Sequence, residues 1–201
     1  MLRSVAERTR ATGAVPTRAE LEAIIESNFF LPTANKAAHA QMKQAALRLV
    51  DHYRTANEAD LHRVWETERP FELHLDGIIV QGRADVILDQ EGGIPTALAI
   101  VDYKTATSGD IEAHALQLQV YADAGRREGL DVRATYVHDL KAAVEGRNPT
   151  TEIDSSTATI ATAEQVVTDA GQRIRNREYP ASPGSRCRTC EVRTVCASAK
   201  R

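Results

Sequence analysis

The chain has 201 residues, 42% hydrophobic and 26% charged, the balance of one globular domain with a sizeable core rather than of a disordered segment. No apolar run approaches the ~20 residues that span a bilayer, and Met1-Leu2-Arg3-Ser4 opens no apolar signal-peptide core, so the expected location is cytoplasmic, with no membrane partner. The net charge of −3 hides a division. Of 25 Lys/Arg and 28 Asp/Glu, eight basic and two acidic residues lie from Gly171 onward, leaving 17 and 26 in the body. A basic end on an acidic body suits an anion-binding region, and equally a solvated tail.

Thr17-Arg18-Ala19-Glu20 reads as a capping box that opens a helix through Leu21, Ile24 and Ile25 to about Phe29. Leu31-Pro32-Thr33 breaks it. A longer helix is predicted from about Ala34 to Thr55, with Ala38, Met42, Ala46, Leu49, Val50 and Tyr53 on one face. His39, His52 and His62 have no metal-ligand spacing and read as surface or cap residues. Phe71, Leu73 and Leu75 then alternate as a strand, and Asp76-Gly77 is a hairpin turn, because glycine accepts the positive φ the turn requires. The return strand puts Ile78, Val80, Gly82, Ala84, Val86 and Leu88 on one face and Ile79, Gln81, Arg83, Asp85, Ile87 and Asp89 on the other. Glu91-Gly92-Gly93 turns the chain into a third strand, Ala97 to Tyr103. Asp110 is placed to cap a helix from Ile111 to about Glu128, stopped by Gly129. A fourth strand is predicted over Val132–Asp139, with residues 150–155 pairing at the sheet edge, then a last helix from Ala163 to Arg177. Tyr179-Pro180-Ala181-Ser182-Pro183-Gly184 is a rigid loop leading into three cysteines. The predicted class is α/β, a mixed central sheet flanked by helices, divided into a helical region 1–60, a core 61–178 and a cysteine segment 179–201.

Aspartate is depleted from strand interiors, yet Asp85 and Asp102 interrupt two apolar strands. Lys104 follows Asp102 by two residues and projects from the same face. Tyr103 points away, leaving its carbonyl oxygen available. If the two strands are neighbours, paired carboxylates and a carbonyl oxygen suit Mg²⁺ or Mn²⁺ completed by waters. Such an ion activates a water and stabilises charge on a phosphoryl oxygen. The competing reading of Asp102 and Lys104 is a surface ion pair. Gln117 and Tyr121 lie four residues apart, on one helix face. Cys187, Cys190 and Cys196 are odd in number and clustered, which argues for a metal or cluster site rather than a disulfide framework. Zinc is the alternative on spacing alone, although no histidine follows His138.

Gly82-Arg83-Ala84-Asp85, Ile100-Val101-Asp102-Tyr103-Lys104-Thr105 and Gln117-Leu118-Gln119-Val120-Tyr121, in that order, resemble the core of the PD-(D/E)XK nuclease superfamily. The Cys187-x2-Cys190-x5-Cys196 spacing resembles the iron–sulfur signature of its RecB-type branch. The resemblance implies a restriction-endonuclease-like core and hydrolysis of DNA phosphodiesters in recombinational repair. It implies that Asp85 and Asp102 ligate the metal, with the Tyr103 carbonyl beside them. Lys104 would act on the water or the scissile phosphate, and Gln117 and Tyr121 would orient the site or touch DNA. Cys187, Cys190 and Cys196 would hold a [4Fe–4S] cluster, incomplete with three cysteines. Two departures stand out: the family's upstream metal-site histidine and its fourth, upstream cysteine have no counterpart here. The expectation is therefore the C-terminal piece of a longer protein, with a helicase domain or subunit upstream or in trans. The alternative is a catalytically impaired DNA-binding scaffold. No Walker A motif is present, so this chain is not itself read as an ATPase.

Overall fold

The computed structural model describes residues 1–91, 97–105, 111–188 and 190–198. The turn predicted at Gly92-Gly93 and the cap predicted at Asp110 lie outside these residues. The chain divides into two compact units, Met1–Glu164 and Gln165–Arg201.

The first unit begins with α1 (Leu2–Thr12), α2 (Arg18–Asn28), α3 (Lys36–Ala56) and α4 (Glu58–His62). The strands β1 (Val64–Leu75), β2 (Ile78–Asp89) and β3 (Leu98–Lys104) follow. Then come α5 (Ile111–Arg127), β4 (Val132–Asp139), α6 (Leu140–Val144), β5 (Thr150–Glu152) and α7 (Thr157–Arg175), which runs on into the second unit. The five strands form one mixed sheet in the order β1-β2-β3-β4-β5. The β3–β4 pair is parallel, with α5 as its crossover, and the other pairs are antiparallel.

The capping box at the head of α2 is formed: the Thr17 side chain accepts the Glu20 N–H, and the Glu20 carboxylate accepts the Thr17 N–H. Asn35 caps α3 by accepting the Ala38 N–H at 2.9 Å. Its inner face differs in part from the predicted one, since Val50 and Tyr53 are buried but Met42 is 52% exposed. The chain opens on α1, a helix not singled out as a separate element in the sequence. No side chain caps that helix, and it closes where Gly13, at φ 70°, donates its N–H to the Thr9 carbonyl. The amphipathic stripe, Val5 and Ala6 buried, is too short to stand out in a polar segment. Val5, Leu21, Ile25, Val50, Tyr53 and Leu61 from the four helices share one core with Val86, Leu88 and Val101 of the sheet.

At the hairpin both turn residues have positive φ, Asp76 at 44° and Gly77 at 74°, as a two-residue turn between right-twisted strands requires. The register runs back from Leu75↔Ile78. β1 starts at Val64, seven residues before its apolar alternation. Its polar half is held by Arg69, which pairs with Glu66 at 2.6 Å and Glu128 at 2.9 Å. The Arg69 guanidinium also lies 5.4 Å from the Trp65 ring and 5.6 Å from that of Phe71, a cation–π arrangement. Asp139 ends β4 and caps α6, accepting the N–H groups of Lys141 and Ala142 at 2.9 and 3.1 Å.

His138 is buried in β4. Its Nδ1 meets Thr150 Oγ1 at 3.1 Å, and its Nε2 has no hydrogen-bond partner among the described residues. Burial pushes this ring below its ordinary value, against the opposing pull of Asp60 and Asp139. The unfolded chain therefore takes up the proton first, at about pH 6.5, and stability is lost as pH falls through that region. Urea midpoints measured from pH 8 to pH 5 should decline below about pH 6.5, and His138→Gln should flatten the decline. Parallel curves for the two proteins would refute this.

In the second unit, Arg177 takes a left-handed φ of 58° just past the end of α7. A 3-10 turn, Ser185–Arg188, follows the proline-rich loop, with the Cys187 N–H bonded to the Gly184 carbonyl at 3.0 Å. Val192 and Val195, the apolar residues beside the last cysteines, are 58% and 83% exposed.

Candidate active site

The β2–β3 ladder runs from Asp89↔Leu98 through Ile87↔Ile100 to Val86↔Val101, its last pair. Two positions beyond the Ile87–Ile100 pair, side-chain alternation brings Asp85 and Asp102 to the same side of the sheet, opposite one another. There the strands part. The Tyr103 N–H, instead of meeting a β2 carbonyl, donates to Asp85 Oδ2 at 2.9 Å. A strand residue directs its N–H and C=O to the same edge, so the Tyr103 carbonyl faces the same gap. Lys104 Nζ lies 2.6 Å from Asp102 Oδ2. That oxygen is buried and takes no well-directed hydrogen bond, so the ammonium group is what neutralises it. Burial raises the Asp85 carboxyl above the ordinary aspartate value; the Tyr103 N–H opposes this, Asp102 adds repulsion, Lys104 offsets part of it and Glu68 adds further repulsion.

Behind the strand, the Tyr103 ring faces away from the carboxylates. Its hydroxyl meets that of Tyr53 at 2.6 Å, and their rings stack edge to face at 5.1 Å. Burial pushes the Tyr53 phenol up to about 12. α3 is thus bonded to the residue between Asp102 and Lys104.

A cavity of about 180 Å³ opens beside Asp85 and Tyr103, walled by Met1, Leu2 and Arg3 of the α1 start and by Glu68 of β1. Glu68 was not among the residues singled out from the sequence. It sits between the pairs Thr67↔Val86 and Arg69↔Ala84, hence across from Asp85, with φ at 51°. Its carboxylate lies 3.9 Å from Arg83. Counting the register back from the Asp76-Gly77 turn would have found it. His39, by contrast, packs edge-on against Phe29 at 5.1 Å, and none of His39, His52 and His62 lines this cavity.

Gln117 and Tyr121 meet on α5, the Gln117 amide donating to the Tyr121 hydroxyl at 3.0 Å. That hydroxyl also accepts the Arg83 N–H at 3.1 Å. The Tyr121 ring lies directly over Gly82, where an added Cβ would come within 2.3 Å of Cε1. The Gly82–Asp85 motif and the Gln117–Tyr121 motif therefore lock together, two residues from Asp85.

The donors gathered at the gap are two carboxylates and a backbone carbonyl, all hard oxygens. They fit Mg²⁺ or Mn²⁺, which keep several waters. Among the described residues no three His, Cys, Asp or Glu side chains form a ready ligand set. Cys187 is half-buried and Cys190 and Cys196 are exposed, all three as free thiols. Among the described residues no helix is long and apolar enough to cross a membrane.

The PD-(D/E)XK nuclease superfamily profile matches residues 2–197. No curated protein sequence matches the chain. Among solved structures, a candidate exonuclease from Eubacterium rectale is 14% identical, with 96% of this chain and 80% of that chain covered at a TM-score of 0.47. The crystal structure of SSO0001 is 16% identical, with 90% and 96% covered at a TM-score of 0.43. A profile match along nearly the whole chain, on a mixed sheet that carries the Asp85 and Asp102-x-Lys104 motifs on neighbouring strands, places this protein in the PD-(D/E)XK nuclease superfamily.

Proposed function

We propose that the chain is a Mg²⁺- or Mn²⁺-dependent deoxyribonuclease that hydrolyses phosphodiester bonds at the gap between β2 and β3. The observation that carries this is the parting of the ladder beyond Val86↔Val101, which turns Asp85, Asp102, the Tyr103 carbonyl and Lys104 toward one place. Asp85, Asp102 and the Tyr103 carbonyl would hold the cation, which when bound supplies an activated water and charge stabilisation at a phosphoryl oxygen. Lys104, paired with Asp102 at rest, is within reach to hold a phosphate oxygen or the water as a point charge. Gln117 and Tyr121 hold β2 in place through the Arg83 N–H.

Cleavage of a labelled DNA oligonucleotide with Mg²⁺ and with excess chelator tests the reading. Cleavage only with the metal supports it. DNA binding without metal-dependent cleavage would favour the scaffold reading instead. Asp85→Asn adds a second readout. Asparagine keeps the acceptor for the Tyr103 N–H but removes a charge that burial and Asp102 disfavour. Cleavage should be lost while the metal-free protein melts higher, by roughly 2–4 °C for each kcal/mol relieved. A raised carboxyl value means the charge costs stability once ionised, so the gain should fade toward and below pH ~4. A lower melting temperature for Asp85→Asn at pH 7 would contradict the assignment.

The finer placement, also proposed, is a RecB-type nuclease working with a helicase in DNA repair. The cysteine spacing supports it, with Cys187, Cys190 and Cys196 as three ligands of a [4Fe–4S] cluster whose fourth comes from elsewhere. Iron and acid-labile sulfide analysis of protein purified without oxygen decides between a cluster and empty thiols.

A further inference from the structure

The cations of the two units differ in their partners. Of the 17 Lys/Arg before Gly171, 13 sit in ion pairs, among them Arg8–Glu20, Arg18–Glu22 at 3.0 Å, Arg133–Asp131 at 2.8 Å and Arg147–Glu145 at 2.7 Å. In the second unit, Arg173, Arg177, Arg188 and Arg193 are all exposed. None of the four makes an ion pair or a side-chain hydrogen bond among the described residues. Within the same stretch the only acidic residues are Glu178 and Glu191.

A polyanion approaching the body meets an excess of carboxylates, 26 against 17 cations that are mostly neutralised already. The long guanidinium side chains of Arg173, Arg177, Arg188 and Arg193 have no ion pair among the described residues to give up before they bind phosphate. We propose that the segment from Arg173 to Arg193 is the surface that takes the phosphodiester backbone of nucleic acid, an arm that supplies most of the affinity while the β2–β3 gap supplies the chemistry. This rests on the nuclease reading for its choice of polyanion. Affinity of this kind comes from release of counterions, so it declines with salt by a slope of about 0.7 to 0.9 per phosphate contact.

Fluorescence anisotropy with a labelled DNA oligonucleotide in chelator, where no cleavage occurs, measures that slope. Arg173, Arg177, Arg188 and Arg193 changed together to Gln should lower the log K–log salt slope by about 3. All four side chains are exposed, so the fold should hold, and the melting temperature checks it. Changing four paired body residues, Arg8, Arg18, Arg133 and Arg147, to Gln should change the slope by less than about 1. An unchanged slope in the first variant, or an equal fall in the second, overturns the arm and leaves the nuclease reading standing. Tighter binding of wild-type protein to phosphatidylserine vesicles than to DNA also overturns it. Absence of metal-dependent cleavage with the predicted slopes would instead sink the nuclease reading and leave the arm.

Discussion

Asp102→Asn should reduce metal-dependent DNA cleavage by about a thousandfold, which corresponds to about 4 kcal/mol of transition-state stabilisation. Asp102 is buried and its carboxylate lies 2.6 Å from the Lys104 ammonium, so the substitution removes both a proposed metal ligand and the charge that holds the ammonium. Lys104 is already partly exposed and free to swing to solvent once the charge of Asp102 is gone, so the variant should melt within a few degrees of wild type. Mn²⁺ titration of the same variant, followed calorimetrically, should show weakened binding whatever the activity. Lys104→Ala should do the reverse, binding Mn²⁺ nearly as well and cleaving far more slowly. Asp102→Asn protein that cleaves at the wild-type rate would place the chemistry elsewhere.

The largest effect on stability is expected at Gly82. An alanine Cβ there would stand 2.3 Å from Cε1 of Tyr121. The ring has little room to yield, since its hydroxyl is held by Arg83 and Gln117 and it packs 5.8 Å from Phe71. Overpacking of this kind costs about 1–3 kcal/mol, and the rigid ring puts Gly82→Ala at the upper end, a fall of roughly 6–12 °C in the melting temperature. In the double variant with Tyr121→Ala the clash disappears, so the two losses should not add. Additive losses, or an unshifted midpoint for Gly82→Ala, would show that the ring moves aside at little cost.

What was legible in the sequence follows the strength of its local signals. The hairpin at Asp76-Gly77, β4 over Val132–Asp139 and the capped start of α2 agree with their predicted positions because each carries its own turn, alternation or cap. Elements that depend on partners distant in sequence were not read. α4 and α6 have five residues each, too few for a periodic pattern. The head of α7, predicted at Ala163, lies at Thr157 because the Asp154–Ser156 turn starts it, with the Ser156 N–H bonded to Asp154 Oδ1 at 2.9 Å. At the site, Asp85 and Asp102 stand out as charges within apolar strands. Glu68 does not, because its neighbours are also polar and only pairing to β2 reveals where it stands. The role of Gly82 was likewise hidden: a glycine in a strand says that something approaches closely, and the approaching ring lies 39 residues further along.

β1 forms one edge of the sheet and is 12 residues long. An outer strand of that length offers a row of backbone donors and acceptors to any chain that can lie alongside, the usual seed of edge-to-edge aggregation. Its polar half spoils the template. Pro70 contributes no N–H, Glu68 at φ 51° breaks the pleat two residues earlier, and Glu66 and Arg69 would have to be stripped of water by an incoming strand. At the opposite edge β5 has only three residues. The same residues that hide β1 from a sequence reading thus work against strand-to-strand pairing at the open edge of the sheet, and the kink at Glu68, beside the proposed catalytic gap, is one of the features that blunt it.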